Sequence, residues 1–126
     1  MSEYTKHLTP RPELRERIIE TAVKAFAAQG IKSITMDDIA TSLGISKRTL
    51  YEVFPDKETL LEECILRGQK EGDEYLKNVL ATSENVLEVL LKCYQRSIEK
   101  FHATNKKFFE DIKKYPKAYK LMTKRH

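Results

Sequence analysis

The fold of this chain is decided by the stretch TMDDIATSLGISKRTLYEVF, residues 35–54. It begins with Thr35 and Asp38, whose hydroxyl and carboxylate can cap each other's backbone donors at a helix start. Gly44 interrupts the helical pattern after about two turns, and Ser46 then offers a hydroxyl as the N-cap of another helix. The spacing predicts two short helices joined by a tight turn.

The apolar residues of this stretch follow a helix-turn-helix pattern: Ile39, Ala40, Ile45, Leu50 and Phe54. Ala40 is small where the helices cross, and Leu50 and Phe54 fix the second helix on its support. The remaining residues of that helix form an outward polar stripe able to enter a nucleic-acid groove: Lys47, Arg48, Thr49, Tyr51 and Glu52. This pattern is only moderately specific, because any small three-helix bundle obeys the same packing rules.

The rest of the chain also has a helical pattern, with only four glycines and four prolines in 126 residues. A first helix is predicted from Pro12 to a left-handed cap at Gly30, with an apolar residue at every fourth position: Leu14, Ile18, Ala22 and Phe26. We therefore expect an all-α fold: a three-helix bundle with a helix-turn-helix, a long connecting helix and part of a further helical domain, which the resemblance given below implies is a ligand-binding and dimerisation domain. The predicted division is 1–56 and 57–126.

The carboxy-terminal half is predicted to hold four helices. The longest begins at Lys57, after the cap residue Asp56, and runs to about Leu80. Gly68 and Gly72 inside it suggest either a close crossing by another helix or a soft point. A fifth helix carries an apolar stripe, a short sixth follows, and a seventh begins at Pro116, where Tyr119 and Met122 have little chain left to pack against.

Composition excludes several classes of protein. Residues 1–60 carry 9 Lys and Arg against 9 Asp and Glu, whereas residues 61–126 carry 14 against 10, so bulk charge does not locate a nucleic-acid surface. Cys64 and Cys93 lie 29 positions apart without metal or redox spacing. His7, His102 and His126 have no spacing for a metal or a catalytic pair. With no membrane-spanning stretch and no leader-like segment, we expect a soluble, cytoplasmic protein.

The stretch and its flanks resemble the amino-terminal signature of the TetR family of transcriptional regulators. The resemblance covers roughly residues 14–62 and includes ITMDDIA, LGISKRTLYEVF and DKETLL, together with AFAAQGI in the first helix. It implies a sequence-specific DNA-binding regulator, most simply a repressor released from its operator by a small-molecule effector. The alternative is a DNA-binding adaptor controlled by a protein partner. No glycine loop, nucleophile pair or cofactor motif supports an enzyme.

The resemblance also implies roles for individual residues. Lys47 and Arg48 approach base edges or phosphates, with Thr49 and Tyr51 bonding to the DNA backbone, while Thr35 and Lys57 match phosphate-binding positions at helix starts. The N-cap Ser46 completes the predicted set.

Blander interpretations remain open beside these roles. Lys47 and Arg48 can be a solvated pair, Tyr51 can cover the bundle, and Thr35 is in any case a helix cap. Arg48 and Glu52 depart from the family's usual residues. Arg48 can read a guanine, and Glu52 is either a groove contact or a local partner for Lys47 or Arg48.

The regulatory half is predicted with less detail. The stripe Tyr94, Ile98, Phe101 and Phe108 is either core or ligand pocket. By the resemblance we expect an effector in the region after residue 80, a homodimer and a pseudo-palindromic double-stranded operator. Because family members run well beyond this length, we expect either a fragment or a short member.

Overall fold

The structure is a computed structural model in which residues 11–124 are described. These residues form helices and connecting turns, with no strand among them. The elements are α1 (Arg11–Gln29), α2 (Met36–Leu43), α3 (Lys47–Val53), α4 (Lys57–Thr82), α5 (Val86–Ala103), α6 (Lys106–Asp111), a 3-10 turn (Ile112–Lys114) and α7 (Pro116–Thr123). The predicted all-α fold is confirmed.

The predicted helix starts coincide with side-chain caps. At α2, the Asp38 N–H donates to Thr35 Oγ1 at 3.0 Å, and the Thr35 N–H donates to Asp38 Oδ2 at 2.8 Å. Ser46 caps α3 through the Thr49 N–H at 3.1 Å, and Asp56 caps α4 through the Thr59 N–H at 2.7 Å. Each cap pairs a backbone donor that has no partner inside the helix, so local sequence sets these boundaries.

The three amino-terminal helices enclose an apolar core that also includes the start of α4. Leu50 and Phe54 are buried against it, as are Ile39 and Ala40 of α2. Gly44 adopts a left-handed conformation with a φ of 69°, which allows the turn between α2 and α3. The predicted helix-turn-helix is therefore present, with its second helix held by burial of its apolar side.

The same core continues into the carboxy-terminal half. Ile112 of the 3-10 turn and Ala118 of α7 are fully buried in it, and Met122 packs against its edge. α7 lies along α4, where the Gln69 amide donates to the Leu121 carbonyl at 2.7 Å. The expectation that α7 has little to pack against is wrong for Met122, whereas Tyr119 remains exposed.

α5 packs mainly against one side of α4 and contacts α6 through Phe101 and Phe109, whose ring centres are 5.3 Å apart, but it buries none of its residues completely. Its apolar stripe faces outwards, with Leu87, Leu90, Tyr94 and Phe101 more than half exposed. The interpretation of the stripe as core is therefore wrong for Tyr94 and Phe101. Exposed apolar side chains also lie near the ends of α4 and α5.

Polar contacts fasten α6 to the end of α1. Asp111 Oδ2 accepts from the backbone N–H groups of Ile31 at 3.0 Å and Lys32 at 2.8 Å. The Asn105 N–H donates to the Ala27 carbonyl at 2.7 Å. Gly30 makes this approach possible, because a Cβ there would lie 2.7 Å from the Cβ of Lys107. We call these contacts the α1–α6 latch: Asn105 and Asp111 on one side, and the end of α1 with Gly30–Lys32 on the other.

We predict that Gly30→Ala destabilises the protein more than Gly44→Ala does. Both glycines have a positive φ, which costs other residues about 1–2 kcal/mol, but only Gly30 faces a neighbour within 4 Å. Overpacking adds about 1–3 kcal/mol at such a site. Urea unfolding followed by circular dichroism measures the two losses. Equal losses would contradict the tight approach of α6.

Candidate nucleic-acid interface and the adjoining cleft

The outward side of α3 carries the cations and the tyrosine expected there. The Arg48 side chain is 90% exposed and that of Lys47 is 58% exposed, while Tyr51 is 43% exposed. Leu50 between them is fully buried. The helix thus separates an anchoring side from a side available to a ligand. Among the predicted residues of α3, Thr49 is the half-buried one, beside Ser46.

Each cation of α3 forms an ion pair with an acidic side chain of the protein. Lys47 Nζ lies 3.2 Å from Asp37 Oδ1 at the start of α2. Glu52 lies 2.8 Å from Arg11 of α1 but 3.8 Å from Arg48. Glu52 therefore has local partners, and Arg48 is its weaker one. Exposed pairs of this kind contribute at most about 1 kcal/mol, so a phosphate or base edge can replace them.

The serine and threonine hydroxyl groups of the predicted set already form hydrogen bonds within the protein. Thr35 accepts the α2 cap bond, and Ser46 Oγ lies 2.8 Å from Thr49 Oγ1 besides capping α3. Both helix starts are exposed. Their first-turn N–H groups point along the helix axis, which favours an approaching anion at α2.

Lys57 sits at the start of α4 in a more enclosed setting. Its ammonium lies 5.8 Å from the centre of the Tyr115 ring, and its side chain is half-buried. Burial lowers the pKa of Lys57, while the Asp111 and Asp38 carboxylates act in the opposite direction. Lys57 therefore connects the α4 start with α2 on one side and with the end of α6 on the other.

The starts of α2, α3 and α4 converge through these contacts. Asp37 reaches Lys47, Asp38 bonds to Thr35, and Lys57 lies within electrostatic range of Asp38. Residues that are 22 positions apart in sequence, Thr35 and Lys57, are thereby brought to one region. The structure thus brings the starts of these three helices close together.

A cleft of about 730 Å³ lies between α4 and α5, and residues of α1, α6 and α7 also line it. Phe101 and Phe108 of the predicted ligand stripe line it, whereas Tyr94 and Ile98 do not. Gly68 and Gly72 also border the cleft. A Cβ at Gly68 would meet nothing within 4 Å, so no helix crosses closely there.

Sequence reasoning missed the polar wall of this cleft, which is formed by α5 residues spaced three or four apart: Cys93, Arg96, Ser97, Lys100 and Thr104. The sequence contains this spacing. The ligand site was predicted instead on the apolar stripe, which lies about a quarter turn away on the same helix. Arg11, Asp37 and the latch residues Asn105 and Asp111 were also missed, because their partners lie on other elements.

Residues 11–124 give little support for a metal site, a membrane-spanning helix or a reactive thiol at Cys64. These residues contain no group of three His, Cys, Asp or Glu suited to a metal ion, and none of their helices is long and apolar enough to span a membrane. Burial raises the pKa of the Cys64 thiol to about 12, so it remains protonated. His102 is exposed on α5, whereas His7 and His126 lie outside the described residues.

Comparison with known proteins identifies the amino-terminal part. Residues 18–64 match the sequence model of a family described as bacterial regulatory proteins, tetR family. The chain is 32% identical over 72 residues to the biofilm operon icaADBC HTH-type negative transcriptional regulator IcaR of Staphylococcus aureus, covering 57% of this chain and 37% of that protein. It is 32% identical over 101 residues to the uncharacterized HTH-type transcriptional regulator YhgD of Bacillus subtilis, covering 77% and 52%. The chain thus spans about half or less of these relatives.

Solved structures agree with this similarity. A TetR-family transcriptional regulator from Pectobacterium atrosepticum superposes with a TM-score of 0.59 at 28% identity, over 71% of this chain and 46% of that one. A protein from Mesorhizobium loti described as a TetR-family regulator has the same fold, with a TM-score of 0.69 at 24% identity over 90% and 60%.

The exposed cationic helix on a three-helix support and these matches define a helix-turn-helix domain of the kind found in transcriptional regulators. Residues 18–64 belong to the TetR family of such domains, and the chain around them is similar to TetR-family regulators. Its family-specific part is the region that the sequence alone indicated.

We predict that the α2 cap weakens in acid. Hydrogen bonds from the Thr35 backbone and side chain lower the pKa of Asp38 below its ordinary value. A carboxyl with a depressed folded pKa stabilises the fold above its unfolded pKa of about 4, and this contribution disappears as pH falls through the folded pKa. The stability difference between wild type and Asp38→Asn should therefore shrink between about pH 6 and about pH 2.

Urea unfolding across that range measures the difference, and Asp37→Asn is the control that removes one charge from the same turn while leaving the capping bonds intact. A difference for Asp38→Asn that does not change with pH would contradict the role of its carboxylate as a cap.

Proposed function

We propose that this protein is a sequence-specific DNA-binding repressor whose α3 enters the major groove of an operator. The observation that carries the proposal is the division of α3 into a buried side, Leu50, and an exposed side, Lys47, Arg48 and Tyr51. A helix held in this way presents side chains without moving the bundle beneath it. Negative regulation is stated in the name of the S. aureus relative, and operator binding would place the protein in the cytoplasm.

The proposed DNA contacts fall into two kinds. Arg48 is exposed and only loosely paired with Glu52, so its guanidinium can reach a guanine edge with two hydrogen bonds. Lys57 and Tyr51 suit phosphate oxygens, since Lys57 lies beside the capped starts of α2 and α4. Thr35, Ser46 and Thr49 supply hydroxyls and backbone donors at the same helix starts, and Glu52 chiefly positions Arg11 and Arg48. Lys47 can serve either kind.

A symmetric dimer is favoured because one recognition helix contacts only a few base pairs. α3 has seven residues, and a single helix of that length reads only a few base pairs. Two copies on a pseudo-palindromic operator double the contacts and the specificity. We therefore include homodimer formation in the proposal.

We further propose that a small molecule in the cleft controls operator binding. Helix α6 supplies Phe108 and Phe109 to the cleft and, through the α1–α6 latch, Asp111 to the backbone that leads into α2. A ligand that shifts α6 or α4 thereby alters the support of the helix-turn-helix. Control requires different affinities for the two states. Release of DNA by a protein partner but by no small molecule would favour the adaptor alternative.

We predict that substitutions in the interface separate base reading from phosphate binding. Arg48→Ala should cost about 1–3 kcal/mol on the operator and relax preference at one position of each half-site. Lys57→Ala should weaken binding to all duplexes and reduce the salt slope by about one unit. Tyr51→Phe should weaken binding uniformly with little change in slope, because it removes a hydrogen bond without removing a charge.

The measurement is fluorescence anisotropy at several salt concentrations on an operator recovered by selection, its single-base variants and random duplex. Lys24→Ala is the control, since Lys24 is exposed on α1 outside the predicted set. Equal losses on operator and random DNA for Arg48→Ala would remove Arg48 from the base-reading set. No loss for any of the three variants would refute α3 as the recognition helix.

We predict that Asp111→Ala weakens the effect of any cleft ligand on operator binding. Without the carboxylate, the N–H groups of Ile31 and Lys32 lose their partner on α6, so movement of α6 no longer reaches the approach to α2. Operator affinity with and without a saturating ligand gives the coupling ratio. Glu110→Ala is the matched control, because Glu110 is exposed on the same helix and lies outside the latch. An unchanged ratio in Asp111→Ala would exclude the latch as the route.

A further inference from the structure

The cleft between α4 and α5 has walls of two different characters. Its apolar wall consists of side chains from α1, α4, α6 and α7: Phe26, Ile65, Leu76, Phe108, Phe109 and Met122. Its volume of about 730 Å³ lies within the range of sites that bind drug-sized molecules. Aliphatic and aromatic surface of this extent favours a molecule with a sizeable apolar body.

The opposite wall is the polar side of α5, and Arg96 occupies its middle. The Arg96 guanidinium lies over Tyr75 of α4, 5.0 Å from the ring centre. A Cβ at Gly72 would lie 3.7 Å from Arg96 Nη1, so the absence of a side chain at Gly72 leaves room beside the guanidinium. Arg96 is half-buried and has a defined place against α4. Lys100 lies one turn further along the same wall.

The charge of the cleft is one-sided. Its described lining contains Arg96 and Lys100 but no Asp or Glu. A cation at an apolar surface loses hydration and gains from an anionic partner. Arginine in particular can hold a carboxylate with two parallel hydrogen bonds.

A thiol-directed ligand fits the same space less well. Cys64 and Cys93 both line the cleft, but burial raises the pKa of Cys64 to about 12. A protonated thiol is a poor nucleophile and a poor metal ligand. Cys64 therefore offers no reactive thiolate, and Arg96 and Lys100 are the charged groups of the lining.

We propose that the cleft binds an amphipathic monoanion, an apolar molecule carrying one carboxylate, with its charged group at Arg96 and Lys100 and its apolar body against Phe108 and Met122. This inference rests on the proposed effector control and specifies the chemical class of the effector. Arg96 fixes the carboxylate, since its position is set by Tyr75 and Gly72, and Lys100 supplies a second, more mobile charge.

The test compares decanoate with decanol, which has the same chain without the charge, by isothermal titration calorimetry at neutral pH on the full 126-residue chain. Decanoate should bind wild type at least about tenfold more tightly than decanol. Arg96→Gln should lower decanoate affinity about tenfold and leave decanol affinity unchanged, with a smaller loss for Lys100→Gln. Lys77→Gln is the control, because Lys77 is exposed on α4 and outside the cleft lining.

Three results would overturn the inference: binding of neither probe, equal binding of the two probes to wild type, or unchanged decanoate affinity in both Arg96→Gln and Lys100→Gln. Equal binding is also what the exposed apolar side of α5 would produce by nonspecific adsorption. Circular dichroism of each variant shows whether it is folded, and Lys100→Gln, altered at an exposed position, keeps the test readable if Arg96→Gln unfolds.

Failure of the proposed function gives a different pattern. Decanoate binding through Arg96 without any change in operator affinity would refute effector control and support the ligand class. A protein that selects no operator from random duplexes would refute the repressor proposal, while the comparison of decanoate with decanol would still decide the inference.

Discussion

The burial of Leu50 and Phe54 is the constraint on which the interface depends. A helix of seven residues is too short to persist in water by itself, so α3 exists because its apolar side is fixed to α1 and α2. Arg15 of α1 lies over the Phe54 ring, 5.4 Å from its centre, and covers that anchor from outside. The orientation of Lys47 and Arg48 is therefore a consequence of packing on the opposite side of the helix.

Interactions between near neighbours made the amino-terminal half predictable from sequence. Thr35 and Asp38 are three residues apart, as are Asp56 and Thr59, and each pair forms the cap that its spacing indicates. Gly30 and Gly44 both have the positive φ expected of residues that end helices. These features depend only on residue type and on separation along the chain. The helix boundaries of the helix-turn-helix could therefore be predicted without any tertiary contact.

Contacts between distant residues were not predictable in the same way. One of the two interpretations of Glu52 was a partner within α3, but its closer partner is Arg11, which is 41 residues away. Asp111 accepts from Ile31 across 80 residues. The side of α5 that faces α4 was also misjudged, because two stripes about a quarter turn apart both have helical spacing and only packing selects between them. The exposed side of α3 could therefore be predicted from sequence, whereas the side of α5 that lines the cleft could not.

The α1–α6 latch also affects how the protein unfolds. One core contains Phe26 from α1, Leu61 from α4 and Ile112 and Ala118 from beyond α6, so loss of the carboxy-terminal turns uncovers the end of α1 and the bundle that supports α3. We expect the described parts of the predicted segments 1–56 and 57–126 to unfold in one cooperative transition instead of two. In a cell, proteolytic cleavage at α7 would then disturb the support of α3 together with the cleft, which ties the lifetime of the candidate interface to the integrity of α7.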